Sequence, residues 1–190
     1  MIQGIDKTIF FRIFQLSIEN PSVGDIMVVI TNASSIIFAL LYGLLLLSLF
    51  IRKDRKIFLA LFGPMTAFLL VYGIRLFYQR PRPFIALDIE SLIVHEASAS
   101  MPSMHAASAF AIAMAVYYTN KSLGIIALAL AALTGLSRVM VGVHFPLDIL
   151  SGALLSVMVS YGMYRHWSSR NNPAGFNRFN RFNRRTLWKN

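Results

Sequence analysis

Residues 26–51, IMVVITNASSIIFALLYGLLLLSLFI, form an uncharged run of 26 residues that is rich in leucine, isoleucine and valine. About 20 apolar residues suffice for an α-helix to cross the hydrocarbon core of a bilayer. Because a soluble domain rarely accommodates so long an apolar run, this stretch predicts a transmembrane helix. The fold of the remaining chain then depends on how many such runs it holds.

Four further uncharged runs follow the first, at residues 57–74, 97–120, 122–137 and 149–164. The stretch 6–19, DKTIFFRIFQLSIE, mixes charged and apolar residues over too short a length to span, so it predicts an interfacial amphipathic helix. Hydrophobic residues make up 56 % of the chain and charged residues only 14 %. We therefore predict an all-α integral membrane helical bundle with about five transmembrane helices and one N-terminal interfacial helix.

The formal net charge of +10 is read as a topology signal. Alternating spans place residues 52–56, Lys121 and the C-terminal segment on one side, which collects 12 of the 18 lysines and arginines. By the positive-inside rule that side is cytoplasmic. The predicted domains are a membrane-embedded domain, 1–165, and a basic cytoplasmic tail, 166–190, which is either disordered or in contact with anionic lipid. Nucleic acid is not an expected partner, because the basic residues gather at the ends of apolar runs.

The opposite side holds the ionisable residues that are candidates for chemistry. They lie in three clusters: RLFYQRPRP at 75–83, PSMH at 102–105 and SRVMVGVHFPLD at 137–148. Three arginines from separate segment ends, Arg75, Arg82 and Arg138, suit a pocket for a phosphate dianion, because guanidinium groups fork onto phosphate oxygens.

The two histidines of these clusters suit acid–base or nucleophilic chemistry. Pro146 is expected in the first turn of the last span, so Asp148 reaches back to His144 and fixes its tautomer. The other ring nitrogen of His144 is then free as a nucleophile or base. His105 is a candidate proton donor to a leaving oxygen. Together these groups suit phosphoryl transfer through a covalent phosphohistidine.

Other interpretations of the same residues stay open. Interfacial placement alone explains many histidines, and we assign it to His95 and His166; Arg80 and Arg82 could be ordinary loop charge. His105, His144 and Asp148 could ligate a metal, but three neighbouring arginines disfavour a cation, so no metal and no cofactor is expected. An ion pathway would place its charges mid-span, whereas these lie at span ends.

The three clusters resemble the signature of the phosphatidic acid phosphatase type 2 superfamily, Lys-x6-Arg-Pro, Pro-Ser-Gly-His and Ser-Arg-x5-His-x3-Asp. The third cluster matches at every fixed position. Arg75 replaces the lysine of the first motif, and Met104 replaces the glycine of the second. Within the superfamily, residues 5–160 are similar to the bacterial undecaprenyl-pyrophosphate phosphatases of the bacitracin-resistance type.

This resemblance implies a helical bundle and metal-independent dephosphorylation of a lipid at the outer face of a bacterial inner membrane. It implies that His144 attacks phosphorus, that Asp148 orients it and that His105 protonates the leaving group. The phosphate oxygens would be held by a set of residues at the motif positions: Arg75, Arg82, Ser103, Met104 and Arg138.

The expected substrate is undecaprenyl pyrophosphate, whose terminal phosphate is removed so that the carrier lipid is recycled for cell-envelope synthesis. Three alternatives stay open. One is a phosphatase of phosphatidylglycerophosphate, phosphatidate or the 1-phosphate of lipid A, another a lipid phosphotransferase, and the third a non-catalytic lipid or anion binder. The expected partners are the lipid substrate and membrane lipids, and the oligomeric state is not predicted.

Overall fold

The computed structural model describes residues 2–171, and within that range every regular element is an α-helix. The predicted all-α fold is confirmed. The seven helices, in chain order, are α1 (Ile2–Glu19), α2 (Pro21–Ile51), α3 (Lys56–Phe77), α4 (Pro83–Ala86), α5 (Met104–Thr119), α6 (Lys121–Met140) and α7 (Pro146–Asn171).

Within residues 2–171, four helices are long and apolar enough to cross a membrane: α2, α3, α6 and α7. The protein is therefore an integral membrane protein, as its composition predicts. The predicted span at 97–120 is shorter than expected, because α5 begins at Met104 rather than at residue 97 and contains 16 residues. Ser103 ends the preceding loop by capping this helix: its hydroxyl accepts a hydrogen bond from the Ala106 amide at 3.4 Å.

Helix α5 lies at the centre of the bundle, where it packs against α2, α3, α6 and α7. Alanines make up much of its buried surface, and Ala109 and Ala113 pack against Ala127 and Ala131 of α6 and Phe38 of α2. Small residues let helix backbones approach closely, which favours association where lipid supplies no hydrophobic driving force. Helix α5 has only 16 residues, yet it is the helix on which α2, α3, α6 and α7 all pack.

The two ends of the bundle carry different contacts. At one end, the Lys56 ammonium donates to the Tyr118 carbonyl at 3.2 Å, and Tyr118 stacks on Tyr164 of α7 with 4.1 Å between ring centroids. We call the other end the site end. There the loop 87–103 is tied to the α6–α7 connection, because the Leu92 amide donates to the Val141 carbonyl at 3.0 Å.

Helix α1 packs against the site end through one stripe of side chains. Phe10 and Phe14 are buried against Val139 and Phe145, and the ring centroids of Phe10 and Phe145 are 5.3 Å apart. The same stripe buries Asp6. The other face exposes apolar side chains, which differs from the expected simple amphipathic pattern: Ile5, Ile9, Phe11, Leu16 and Ile18.

Two positions depend on the small size of glycine. Gly142, in the α6–α7 connection, has a φ of +84°, a conformation that side chains disfavour. A Cβ atom on Gly152 of α7 would lie 2.7 Å from the Ser103 carbonyl oxygen. Gly152 therefore permits α7 to approach the start of α5, where the candidate site lies.

The predicted boundary between domain and tail falls inside a helix, since α7 continues through Asn171, past the expected tail start at His166. The Phe-Asn-Arg repeats of residues 176–184 lie outside the described residues.

Candidate active site

Residues from the three sequence clusters meet at the site end. Arg75 comes from the last turn of α3, Arg82 from the turn before α4, and Arg138 from the last turn of α6. His105 lies in the first turn of α5, and His144 lies in the short connection that leads into α7.

The geometry of His144 and Asp148 follows from the way α7 begins. Pro146 is the first helical residue, so Asp148 lies in the first turn, and its Oδ2 accepts a hydrogen bond from the Phe145 amide at 2.8 Å. Such a reach-back bond satisfies an amide that the start of a helix leaves unpaired. The same Oδ2 lies 3.4 Å from Nδ1 of His144, as the spacing of the two residues predicts.

Arg82 is buried and fixes the opposite side of the His144 ring. Its Nη1 donates to the Val143 carbonyl at 3.0 Å and lies 3.1 Å from Nε2 of His144. A guanidinium can only donate, so Nε2 accepts and the proton of the neutral ring sits on Nδ1, facing Asp148. The lone pair of Nε2 therefore points toward the arginine.

Arg75 and Arg82 share one serine. Nη2 of Arg75 and Nη2 of Arg82 donate to the Ser98 hydroxyl at 3.4 and 3.1 Å, and Nη1 of Arg75 donates to the Pro102 carbonyl at 3.0 Å. The two guanidinium groups are thereby held beside each other. Such a pair of like charges is typical of an anion site.

Arg138 is buried, and among the described residues neither its Nε nor its Nη2 has a hydrogen-bond partner. An unpaired buried donor costs about 1–3 kcal/mol. A ligand with acceptor oxygens would remove that cost.

The start of α5 places three of the predicted residues. The Ser103 amide donates to the Asp148 carbonyl at 2.9 Å, and its hydroxyl caps α5. Met104 is the first helical residue and, with His105, lines a cavity of about 380 Å³ between α2, α3, α5 and α6. The cavity walls away from these two residues are largely apolar and include Phe38, Phe68 and Ile112.

Four residues that the sequence analysis did not assign to the site contact it. Ser98 binds both arginines as described, and Ser100 makes a very short hydrogen bond to Asp148 and lies 3.4 Å from Nδ1 of His144. Arg80, which we interpreted as possible loop charge, forms an ion pair with Asp148 and another with Asp6. The alternating serines of SASMPS were the available signal for Ser98 and Ser100; Asp6 had none.

The charges of the site act on its histidines. Burial lowers the pKa of His144, and the charges of Arg82 and Arg138 lower it further, while Asp148 raises it in part. His144 is therefore neutral near pH 7. Burial and the charge of Arg82 also lower the pKa of His95, which lies near the site rather than apart from it.

The arginines keep their charge despite burial. Burial and the neighbouring charge of Arg75 lower the pKa of Arg82 to about 10, which leaves it protonated at neutral pH. Within residues 2–171, no group of three or more histidines and carboxylates is arranged to hold a metal ion. The site is thus a cationic pocket around one neutral, oriented imidazole.

A cationic pocket at one end of a membrane-embedded helical bundle suits the class of membrane proteins that act on anionic ligands, and comparison with known proteins gives the family. Residues 56–172 match the PAP2 superfamily. The chain is 34 % identical over 159 residues to undecaprenyl-diphosphatase BcrC of Bacillus subtilis (strain 168), covering 83 % of this chain and 81 % of that protein. The chain therefore belongs to the PAP2 superfamily, a family of lipid phosphatases.

Two solved structures share the fold. One is a PAP2-type phosphatidylglycerolphosphate phosphatase from Bacillus subtilis, with a TM-score of 0.71, 26 % identity and coverage of 90 % of this chain and 88 % of that one. The other is Aquifex aeolicus LpxE, with a TM-score of 0.70, 27 % identity and coverage of 83 % and 93 %.

Proposed function

We propose that this protein removes the terminal phosphate of undecaprenyl pyrophosphate through a phosphohistidine on His144. The observation that carries the proposal is the unpaired, buried guanidinium of Arg138 beside a neutral and oriented imidazole. Binding of an anion alone needs arginines, whereas the held tautomer of His144 supplies a nucleophilic lone pair as well.

In the first step, Nε2 of His144 bonds to the terminal phosphorus, and the bond from that phosphorus to the bridging oxygen breaks. The negative charge of the bound pyrophosphate favours the protonated form of His105, which gives its proton to the departing lipid monophosphate oxygen and becomes neutral. Arg82 moves its donor from Nε2 to a phosphate oxygen, and Arg75 and Arg138 bind the other oxygens. Met104 and Ser103 contribute the start of α5, whose positive end favours the anion.

In the second step, a water oxygen attacks phosphorus, and His105 takes the proton of that water. The bond from phosphorus to Nε2 breaks, which releases inorganic phosphate and restores neutral His144. No metal and no cofactor takes part in these steps. Asp148 stays ionised throughout and stabilises the imidazolium-like character that develops on His144.

The lipid specificity is argued from the cavity beside His105 and from BcrC of Bacillus subtilis, which is named an undecaprenyl-diphosphatase. The cavity is largely apolar and opens beside His105, which suits the first units of an apolar lipid chain. A phosphatidylglycerolphosphate phosphatase with the same fold favours a second candidate, a phosphatase of phospholipid phosphomonoesters. Phosphatidate, lipid A 1-phosphate and transfer to a second lipid belong to the same test.

The charge pattern of the loops supports a proposal for the orientation of the protein in the membrane. We assign the protein to the bacterial cytoplasmic membrane, with the site end on the extracytoplasmic face and the C-terminus in the cytoplasm. The product would then re-enter the carrier-lipid cycle of cell-envelope synthesis.

The test compares phosphate release from undecaprenyl pyrophosphate, phosphatidylglycerophosphate, phosphatidate and lipid A 1-phosphate by purified protein in detergent. It also measures transfer of phosphate to a second lipid. We expect the highest kcat/KM with undecaprenyl pyrophosphate, unchanged activity with a chelator, and a loss of about 10³-fold or more in His144→Gln. The matched control is His166→Gln, which changes an exposed histidine of α7. Full activity in His144→Gln, or no phosphate release from any lipid, would refute the proposal.

A further inference from the structure

Two charged residues beside the site have no part in the proposed chemistry, and they are linked to each other. Asp6 of α1 is only 2 % exposed. Arg80 donates from Nη2 to Oδ2 of Asp6 at 2.6 Å and from Nη1 to Oδ1 of Asp148 at 2.7 Å. One guanidinium thus bridges a carboxylate of the first helix and a carboxylate of the last.

Asp6 also acts directly on the start of α7. Its Oδ1 accepts a hydrogen bond from the Leu147 amide at 3.0 Å. Leu147 is the second residue of α7 and precedes Asp148, so Asp6 satisfies an amide of the first turn that the helix leaves unpaired. Both oxygens of Asp6 are therefore used to fix the segment that carries Asp148.

The plane of the Arg80 guanidinium is fixed as well. It lies 4.2 Å from the centroid of the Phe145 ring, and that ring packs against Phe10 of α1. A planar guanidinium can stack on a ring and bind two carboxylates at once, whereas a lysine ammonium offers no such fork. The bridge is therefore specific for arginine.

Arg80 contacts Asp148 on the oxygen that does not face the histidine. Oδ1 of Asp148 receives Arg80, whereas Oδ2 faces Nδ1 of His144. Arg80 is thus placed to act on His144 through Asp148. A phosphate-binding role is disfavoured, because Nη1 and Nη2 each form an ion pair with a carboxylate, and these two negative charges offset the positive charge that would attract a phosphate.

We propose that Asp6 and Arg80 are positioning residues, which hold Asp148 in the orientation that keeps the His144 tautomer ready for attack. This inference rests on the proposed role of His144 as the nucleophile. It makes α1 a functional part of the site, although α1 supplies no group that touches the substrate.

The test measures kcat and KM in Arg80→Met, Arg80→Lys and Asp6→Asn, on whichever lipid phosphate the wild type hydrolyses. We expect kcat to fall about 10- to 100-fold with KM within about 2-fold, because a lost orienting partner slows the chemical step. Asp25→Asn, an exposed carboxylate of α2, is the matched control and should keep the wild-type kcat.

A double-mutant cycle tests whether the two residues act as one unit. Once Arg80 is methionine, Asp6→Asn should lower kcat by less than about 2-fold more. A second readout needs no substrate and measures the ¹⁵N chemical shift of His144 Nδ1. The signal is assigned by its loss in His144→Gln. It should change in Arg80→Lys and Asp6→Asn and stay constant in Asp25→Asn.

Two outcomes would overturn the inference. One is a rise in KM at constant kcat, which would make Arg80 a substrate ligand. The other is folded variants that keep both the wild-type kcat and the wild-type Nδ1 shift. Failure of the proposed function is read separately, from the substrate panel of the wild type, so the two failures are distinguishable.

Discussion

Arg82 and Arg138 are both buried, yet they use their guanidinium groups differently. Arg82 donates to the Ser98 and Val143 carbonyls and contacts His144, so it stabilises the fold of the site. Arg138 leaves two buried nitrogens without partners among the described residues. At the scale of single residues, the site therefore combines one arginine whose hydrogen bonds hold the pocket together with one that keeps buried donors unpaired among the described residues.

We predict that Arg138→Met raises the thermal unfolding temperature while it lowers kcat/KM about 100-fold or more. Methionine fills the volume and removes a buried group whose hydrogen bonds are unmade, so the free energy of unfolding, measured without substrate, rises by about 1 kcal/mol or more. Such a gain corresponds to a few degrees in a chain of this length. Differential scanning fluorimetry in one detergent measures it.

Arg82→Met is the matched control, because it removes a guanidinium with its hydrogen bonds made. We expect its unfolding temperature to fall. If Arg138→Met were destabilised as much as Arg82→Met, Arg138 would be part of the folded framework rather than a free phosphate ligand.

The pH dependence of stability carries a signature of His144. Its pKa is lowered in the folded protein, so below the ordinary histidine pKa of about 6.5 only the unfolded chain takes up a proton there. Above about pH 6.5, His144 is neutral in both states and does not reduce the free energy of unfolding. As the pH falls toward the lowered pKa, only the unfolded chain gains a proton, so the free energy of unfolding decreases. Between pH 6.5 and 5 that loss is up to about 2 kcal/mol.

We predict that His144→Gln shows a shallower loss of stability over this pH range than the wild type, measured by chemical unfolding in detergent. His166→Gln is the control and should follow the wild-type slope, because that side chain is exposed. Equal slopes in all three proteins would show that His144 is not held neutral.

Most residues of the pocket were predictable because their motifs are local. Ser137-Arg138, His144 and Asp148 lie within 12 residues, and the helix start at Pro146 fixes their relation. Asp6 was not predictable, because 141 residues separate it from its partner Leu147. Only the packing of α1 against α7 brings them together, and an isolated aspartate in an amphipathic segment carries no such signal.

Helix α7 depends on a close approach to the start of α5. We predict that Gly152→Ala lowers the free energy of unfolding by about 1–3 kcal/mol, because its Cβ would meet the Ser103 carbonyl oxygen at 2.7 Å. The shift would also disturb the Ser103–Asp148 backbone bond. Thermal unfolding and phosphate release measure the two effects.

Gly162→Ala, on the same helix, is the matched control. Nothing lies within 4 Å of a Cβ atom at Gly162, so we expect unchanged or slightly higher stability. A Gly152→Ala variant as stable as Gly162→Ala would mean that the two helices do not need their close contact.

The helices themselves were largely predictable from apolar runs, and their ends were not. The start of α5 was expected at residue 97, but the helix begins at Met104, because Pro102 and the Ser103 cap end the loop there. Hydropathy does not distinguish the uncharged loop ASASMPS from a helix. The end of α7 was missed in the opposite direction, because its last turns contain polar residues such as Arg165 and Arg170.

The whole molecule has a predicted orientation that single cysteines can test, since the natural chain has none. Val94, fully exposed at the site end, and Arg52, exposed at the opposite end, are suitable positions. In intact cells with an accessible outer face, a membrane-impermeant maleimide should label Val94→Cys. It should label Arg52→Cys only after the membrane is permeabilised, and the reverse pattern would contradict the assigned topology.

The contact between Asp6 and the start of α7 also bears on biogenesis. A ribosome delivers Asp6 at the outset and Leu147 only after 141 further residues. While the chain is inserted helix by helix, the carboxylate of Asp148 therefore has no bridge to α1, and the imidazole has no fixed partner. If Asp6 and Arg80 position Asp148 as proposed, the orientation of His144 is completed only when α1 and α7 have packed together.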